Sequence, residues 1–287
     1  MNHLYFALGT SKQSVHQKLD RYLKRLEGLN QLYPLIVEIR EEHPEMSLRH
    51  IYRLINPAFI GRDAFEEYFK EEGFSIKKVR NYRRTTNSLG VTRFPNLLIE
   101  VELNDINQCW VSDITYYQIK DEFFYLTFIM DLYSRKVIGY SCSSTLYTEQ
   151  TTIPALKMAL KIRDMTITPN TIIHSDGGGQ YYSKQFLQLT KKSHMQNSMG
   201  KVVYDNPHAE RVNGIIKNSY LRYYNPNNHQ ELKQMLKRAV NNYNSIKPHS
   251  SLNRLSPDNF ELSIQKKVCP NQENKTNNFT FKTVNVI

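Results

Sequence analysis

The sequence predicts an α/β protein in which an all-α region precedes a mixed five-stranded sheet with flanking helices. Three observations lead there. Residues 1–100 carry helical apolar spacing and cap signals. From about Gln108, three short runs alternate apolar with polar residues and are rich in β-branched and aromatic side chains. After them, helical and strand patterns take turns to residue 262. The 287 residues are 40% apolar and 23% charged, enough for a packed core and against wholesale disorder.

The helical region reads as two units. In LYFALGTSKQSVHQKL, Gly9 marks a turn and Ser11 is placed to cap a helix with Val15 and Leu19 on one face. An apolar residue four before the glycine and Val15 six after it give the spacing of a helix-turn-helix over residues 1–30. Its second helix would turn Gln13, Ser14, Gln17 and Lys18 to a DNA groove; an ordinary helical hairpin is the alternative. A second helical DNA-binding unit is expected over residues 31–84. YPLIVEIREEHPEM stops at a proline, Ser47 caps LRHIYRLI, and Phe65, Tyr68, Phe69 and Phe74 are spaced to face a core. KKVRNYRR then supplies Lys77, Lys78, Arg80, Arg83 and Arg84, with no acid until Glu100. Such a tract is either a solvated linker or a track for a phosphate backbone. TTNSLG follows, and residues 85–106 read as a linker.

CWVSDITYYQI, FFYLTFIMDLY and RKVIGYSCSS are three strands separated by turns, an antiparallel meander. EQTTIPALKMALKIR is a helix, TIIHSD a buried strand, SKQFLQLTKKSH a helix, QNSM a short strand, and NPHAERVNGIIKNSYL and HQELKQMLKRAVNNYN are helices. The order β-β-β-α-β-α-β-α sets the first, fourth and fifth strands parallel. That is the ribonuclease H-like arrangement, here over residues 107–262, with a polar tail at 263–287.

The charge is +11, but its distribution says more. Residues 1–100 hold 16 basic and 12 acidic side chains, residues 101–200 hold 9 and 9, and residues 201–287 hold 13 and 6. A neutral middle between basic flanks suits a polyanion held around a site that needs its own carboxylates. The longest near-apolar run, Phe123 to Met130, is too short to span a membrane, and no signal peptide is visible. Three scattered cysteines form no CxxC pair, which argues against a disulfide scaffold or cysteine zinc site and for a cytoplasmic protein.

Carboxylates inside apolar elements need a reason, because burying one unpaired is costly. Asp113 interrupts WVSDITYY, Asp176 ends TIIHSD at the carboxyl end of a strand, and Glu210 lies one turn into a helix opened by Asn206 and Pro207. In the expected fold these three meet at one end of the sheet. Their oxygens suit Mg²⁺ or Mn²⁺, and two such ions would serve phosphodiester chemistry. Each acid also has a bland reading: a basic partner for Asp113, a turn cap for Asp176, a helix-dipole acid for Glu210. Asp131 reads as structural and Glu149 as a capping acid. Gly177, Gly178 and Gly179 either leave the backbone beside Asp176 open to a phosphate or metal or simply make a tight turn. His174 reads as a packing residue, and Tyr181 and Tyr182 either stack on a base or pack. Lys217, seven residues after Glu210, is placed to touch a DNA backbone, with a merely exposed lysine as the alternative.

WVSDITYY, MDLYSRKVIGY, IHSDGGGQY, DNPHAERVNGIIKNSYL and YNSIKPHSSLNRLSPDNFE occur in order over residues 107–262. Together they resemble the catalytic region of DDE-type transposases and retroviral integrases. The nearest likeness is to the bacterial insertion-sequence group whose transposase is often made from two overlapping reading frames. Residues 31–84 also resemble the helical domain preceding the core in that group. The resemblance implies that Asp113, Asp176 and Glu210 are catalytic and bind Mg²⁺ or Mn²⁺, two ions together. It also implies a DNA transposase that binds element ends, nicks them and joins the 3′-hydroxyl to target DNA. Such an enzyme would work as a homo-oligomer, at least a dimer on DNA, in the bacterial cytoplasm at the nucleoid. The spacing between the second and third acids is 33 residues, against 34–35 usual in the family, and the loop from Ser198 to Pro207 carries the difference. The zinc domain of retroviral integrases has no counterpart here, and the helix-turn-helix would stand in its place. The rival readings are a ribonuclease H-like structure-selective nuclease and a catalytically decayed DNA-binding protein.

Overall fold

The computed structural model describes residues 9–76, 94–163, 170–200 and 206–268. Its first helix, α1 (Lys12–Glu42), starts as the sequence indicates: Ser11 Oγ accepts from the Ser14 N–H at 3.1 Å, behind Gly9 at φ +60°. It ends at Glu42, just before Pro44. It does not break near residue 30. Gly28 and Pro34 both lie inside it, so the expected division between residues 1–30 and 31–84 falls mid-helix. Gly28 is enclosed by the Phe59 ring, which a side chain there would meet at 2.8 Å. Leu29, Ile36 and Ile39 of α1 pack on α2 (Leu48–Ile55) and α3 (Arg62–Glu71), whose Ile51, Phe65 and Phe69 complete a small core. Ser47 caps α2 by accepting from His50.

The sheet contains β1 (Cys109–Ile119), β2 (Glu122–Asp131), β3 (Val137–Ser143), β4 (Ile172–Ser175) and β5 (Gln196–Met199), in the order β3-β2-β1-β4-β5. The first three pair antiparallel, while β1, β4 and β5 run parallel, which is the expected ribonuclease H-like arrangement. Strand periodicity of two divides the core. Trp110, Ile129, Ile138 and Ile173 face α4 (Thr152–Ile162) and α5 (Lys184–Lys192). Val111, Leu126, Phe128 and Met130 face α6 (Pro207–Tyr224) and α7 (His229–Ser245). A final helix, α8 (Pro257–Val268), crosses residue 263, where the tail was expected to begin.

Part of the expected linker is also built into the core. Leu97, Leu98 and Leu103 pack on the α6 side, and the Leu97 N–H donates to Ser198 Oγ at 2.9 Å beside β5. Three leucines in seven residues have more to gain from burial than from exposure. No helix among the described residues is long and apolar enough to cross a membrane.

Candidate active site

The register of the central strands sets the site. Val111 of β1 lies opposite His174 of β4. Two residues further, on the same face, come Asp113 and Asp176, side by side at the carboxyl end of β4. That face looks at α6. Along it, every second residue of β1 meets every fourth of α6, since 6 Å of helix rise matches about 6.6 Å of strand. Asn213 Nδ2 donates to Asp113 Oδ2 at 2.7 Å, Lys217 Nζ donates to Thr115 Oγ1 at 3.0 Å, and Tyr117 Oη donates to the Leu221 carbonyl at 3.1 Å. Glu210, one turn before Asn213, is thereby carried within electrostatic reach of the two aspartates. The helix widens to π geometry over Ile215–Leu221 within this ladder.

The electrostatics register the convergence. Burial first, then Asp176 and Glu210, push the Asp113 carboxyl up to about 7, against the lowering effect of N–H donation from Ile114 and Asn213. Burial raises Asp176, and burial followed by Asp176 raises Glu210, which remains exposed. Tyr181 is buried beside both aspartates and its hydroxyl lies 2.9 Å from Ser112 Oγ. Ser112 spends its only proton on the Phe128 carbonyl at 2.9 Å, so Tyr181 is the donor. Of the readings open for this tyrosine, packing is the one realised; Phe186 meets it edge-on at 5.5 Å.

Asn206 Nδ2 donates to the Ser112 carbonyl at 2.9 Å and pins the start of α6 to β1. The Oδ1 atoms of Asn206 and Asn213 are buried with no hydrogen-bond partner. The Gly178 N–H donates to Asp176 Oδ1 at 3.1 Å, and a side chain at Gly178 would press on that oxygen at 3.0 Å. All donors around the acids are oxygen, with unsatisfied lone pairs and mutual repulsion, a set that fits a hard divalent cation. Among the described residues, no three His, Cys, Asp or Glu side chains are already gathered as a metal site.

The other candidates fall in different places. Asp131 is fully buried at the far end of β2 and accepts N–H bonds from Asn107, Tyr133 and Ser134 at 2.7–3.0 Å, a structural role. Glu149 caps nothing; it accepts from Gln185 Nε2 at 2.7 Å, tying the α4 approach to α5. His174 is buried 2.8 Å from Ser198 Oγ, a packing residue. Gln13, Gln17 and Lys18 are exposed on α1, far from the small core of the helical region. Lys77, Lys78, Arg80, Arg83 and Arg84 lie outside the described residues, as does the loop at 201–205. Lys217 is half-buried, 5.0 Å over the Tyr116 ring. Burial lowers its pKa while Asp113 raises it. The sequence places Asn213, three residues after Glu210, on the same helix face without a role, and in the structure its amide holds the Asp113 carboxylate.

The integrase core domain family matches residues 104–204 and again residues 193–257. An uncharacterized 31 kDa protein of insertion element IS600 from Shigella sonnei is 32% identical over 210 residues, covering 71% of this chain and 76% of that protein. The InsF transposase of insertion sequence IS3A from Escherichia coli K12 is 34% identical over 162 residues, 54% of this chain. The matched region spans about half the length of that transposase, 54%. Among solved structures, the HTLV-2 integrase catalytic core domain in complex with magnesium is 24% identical at a TM-score of 0.45, covering 54% of this chain and 95% of that one. The BIV integrase catalytic core is 16% identical at a TM-score of 0.43, covering 56% and 98%.

Proposed function

This chain belongs to the integrase-core family of bacterial insertion-sequence transposases, and from that premise we propose that it binds the ends of its element, nicks them, and joins the freed 3′-hydroxyl to a target phosphodiester. The observation that supports the reading is electrostatic: Asp176 and Glu210 both raise the Asp113 carboxyl, and Asp176 raises Glu210, so three acids from three elements lie within reach of one another's charge. Asp113, Asp176 and Glu210 hold Mg²⁺ or Mn²⁺ ions, two together. Bound there, the ions supply activation of the attacking oxygen and neutralisation of charge on the leaving one. Asn213 fixes the orientation of the Asp113 carboxylate, and Asn206 holds the helix that delivers Glu210. The bare backbone at Gly177, where a side chain would meet only Met199 Sδ at 3.9 Å, gives a phosphate room beside Asp176. Lys217 turns toward the DNA backbone from its seat on Thr115. Water is the nucleophile for nicking and the 3′-hydroxyl for joining. The protein acts on DNA as at least a dimer, in the bacterial cytoplasm at the nucleoid, and Gln13, Gln17 and Lys18 read the element ends.

The test is an assay with end-labelled element DNA and Mg²⁺. Asp113→Asn, Asp176→Asn and Glu210→Gln each abolish nicking and joining while end binding persists, and Asp131→Asn keeps the chemistry. Substantial activity in one of the three variants removes that residue from the triad. Full activity in EDTA overturns the mechanism, and hydrolysis without strand joining assigns a nuclease instead.

A further inference from the structure

Five basic side chains gather on the flank of α6. Arg135 comes from the β2–β3 turn, His208 and Arg211 from the first turns of α6, and Lys247 and His249 from the segment after α7. Arg135 Nη1 lies 3.0 Å from His208 Nδ1. His249 stands edge-on to Tyr243 with centroids 4.9 Å apart, and its buried Nε2 has no hydrogen-bond partner. Lys247 also lines a cavity of about 40 Å³ with His43, Glu45 and His50. Among the described residues, none of the five forms an ion pair with an acid, whereas the half-buried Lys136 and Arg163 both do.

Arg211 links the group electrostatically. Burial is the largest cause of the lowered pKa values of Arg135, His208, Lys247 and His249, and the Arg211 charge adds to it in all four, against Tyr243 at Arg135 and Glu45 at Lys247; His249 falls to about 4. The acids that face the cluster are engaged elsewhere. Glu45, which favours the charge on Lys247, accepts from Ser219 and Tyr223; Asp131, which favours that on Arg135, is occupied by three N–H groups and Arg163. Arg211 and His208 are exposed and Arg135 and Lys247 partly buried, so three like charges stand close together without a paired acid where an anion from solvent can join them. On α6, Arg211 lies about 100° around the axis from Glu210 and His208 about 160°, so the cluster faces away from the acids by roughly a helix diameter, ~10 Å.

We propose that Arg135, His208, Arg211, Lys247 and His249 form a phosphate-binding subsite that grips the DNA backbone at a phosphodiester flanking the reacting one. The proposal rests on the transposase reading. It adds a contact that sets the path of the strand past α6, independent of the acids' chemistry.

The test uses the full chain. Anisotropy titrations with a labelled DNA duplex at several salt concentrations compare wild type with Arg211→Gln, Lys247→Gln, the double variant, Arg211→Lys, and Lys161→Gln as a control on the opposite face of the sheet. Each lost phosphate contact flattens the slope of log affinity against log salt by about 0.9, and the double variant by about twice that. Arg211→Lys and Lys161→Gln keep the wild-type slope. Without DNA, the glutamine variants melt no lower than wild type, because repulsion is relieved. Unchanged slopes overturn the subsite, as does a lowered melting temperature with an unchanged slope, which marks a structural role. Inorganic phosphate at constant ionic strength forms a separate arm. If it stabilises wild type but not the double variant while the DNA slopes agree, the subsite takes free phosphate and the DNA assignment fails. A wild type that nicks DNA but shows no slope difference loses only this subsite; one with no affinity for DNA loses the transposase reading as well.

Discussion

At Asp113, three influences compete: burial and two neighbouring acids favour the protonated carboxyl, while the Ile114 N–H and the Asn213 amide favour the carboxylate. The first group wins, and the carboxyl sits near 7, above its ordinary 3.8. The folded chain therefore keeps a proton that the unfolded chain releases, and ionising Asp113 costs stability as pH rises from about 4 toward 7. Asp113→Asn removes that cost. In EDTA the variant should melt above wild type at pH 8 and by a clearly smaller margin at pH 5, by about 2–4 °C for each kcal/mol relieved. An equal offset at both pH values would show that charge is not the cause. The three acids were legible because a carboxylate inside an apolar strand or at a strand end needs a reason. The role of Asn213 was not, since an amide three residues after an acid names a helix face and nothing across from it.

At the scale of elements, strand and helix patterns carried most of the architecture, because alternation and cap residues are local signals. The continuous α1 was not legible. Gly28 and Pro34 punctuate a sequence, yet here the Phe59 ring needs the absence of a side chain at Gly28, and packing of Leu29 and Ile36 carries the helix through. Close approach also governs Gly139 in β3. A Cβ there would lie 2.2 Å from the Ala155 carbonyl oxygen of α4, and backbone cannot step aside as a flexible side chain would. Gly139→Ala should cost about 1–3 kcal/mol or more in urea unfolding, as α4 is pushed off the sheet. The far end of the sheet is held differently. Arg163 bonds Glu261 and reaches Asp131 at 3.5 Å, and Ser134 and Lys136 also bond Glu261, so β2, α4 and α8 meet at one buried ionic knot. Arg163→Met leaves two buried acids short of their cation and should cost about 3–5 kcal/mol. Metal-dependent nicking at low temperature should survive it, since Asp131 pairs with Trp110, three residues before Asp113 on β1 and on the other face of the sheet.

At the scale of the whole molecule, the helical region is fastened to the sheet domain through the last turn of α1 and the segment after it. Glu42 pairs with Arg238 and accepts from Asn242, Tyr224 donates to the Glu42 carbonyl, and Glu45 accepts from Ser219 and Tyr223. The segment that precedes the sheet in sequence thus packs on α6, the helix that carries Glu210, and on α7. His43 sits in this joint, buried, with Nδ1 3.2 Å from the Tyr220 hydroxyl. Burial, Lys247 and Arg238 take its pKa from 6.5 to about 4, and Glu42 offsets only part of that. Here the folded value lies below the ordinary one, so the unfolded chain takes up the proton first. The stabilisation is complete above pH 6.5 and is lost as pH falls toward 4, with on the order of 1–2 kcal/mol gone by pH 5. His249, also near 4, adds a loss of the same sign. His43→Gln keeps a polar group toward Tyr220 without a titrating ring. Between pH 7.5 and pH 5, its melting temperature should fall less than that of wild type, and amides of α2 and α3 should lose less hydrogen-exchange protection. If wild type and variant fall by the same amount, protonation of His43 does not loosen the joint, and the acid sensitivity belongs to His249 and the cluster around Arg211.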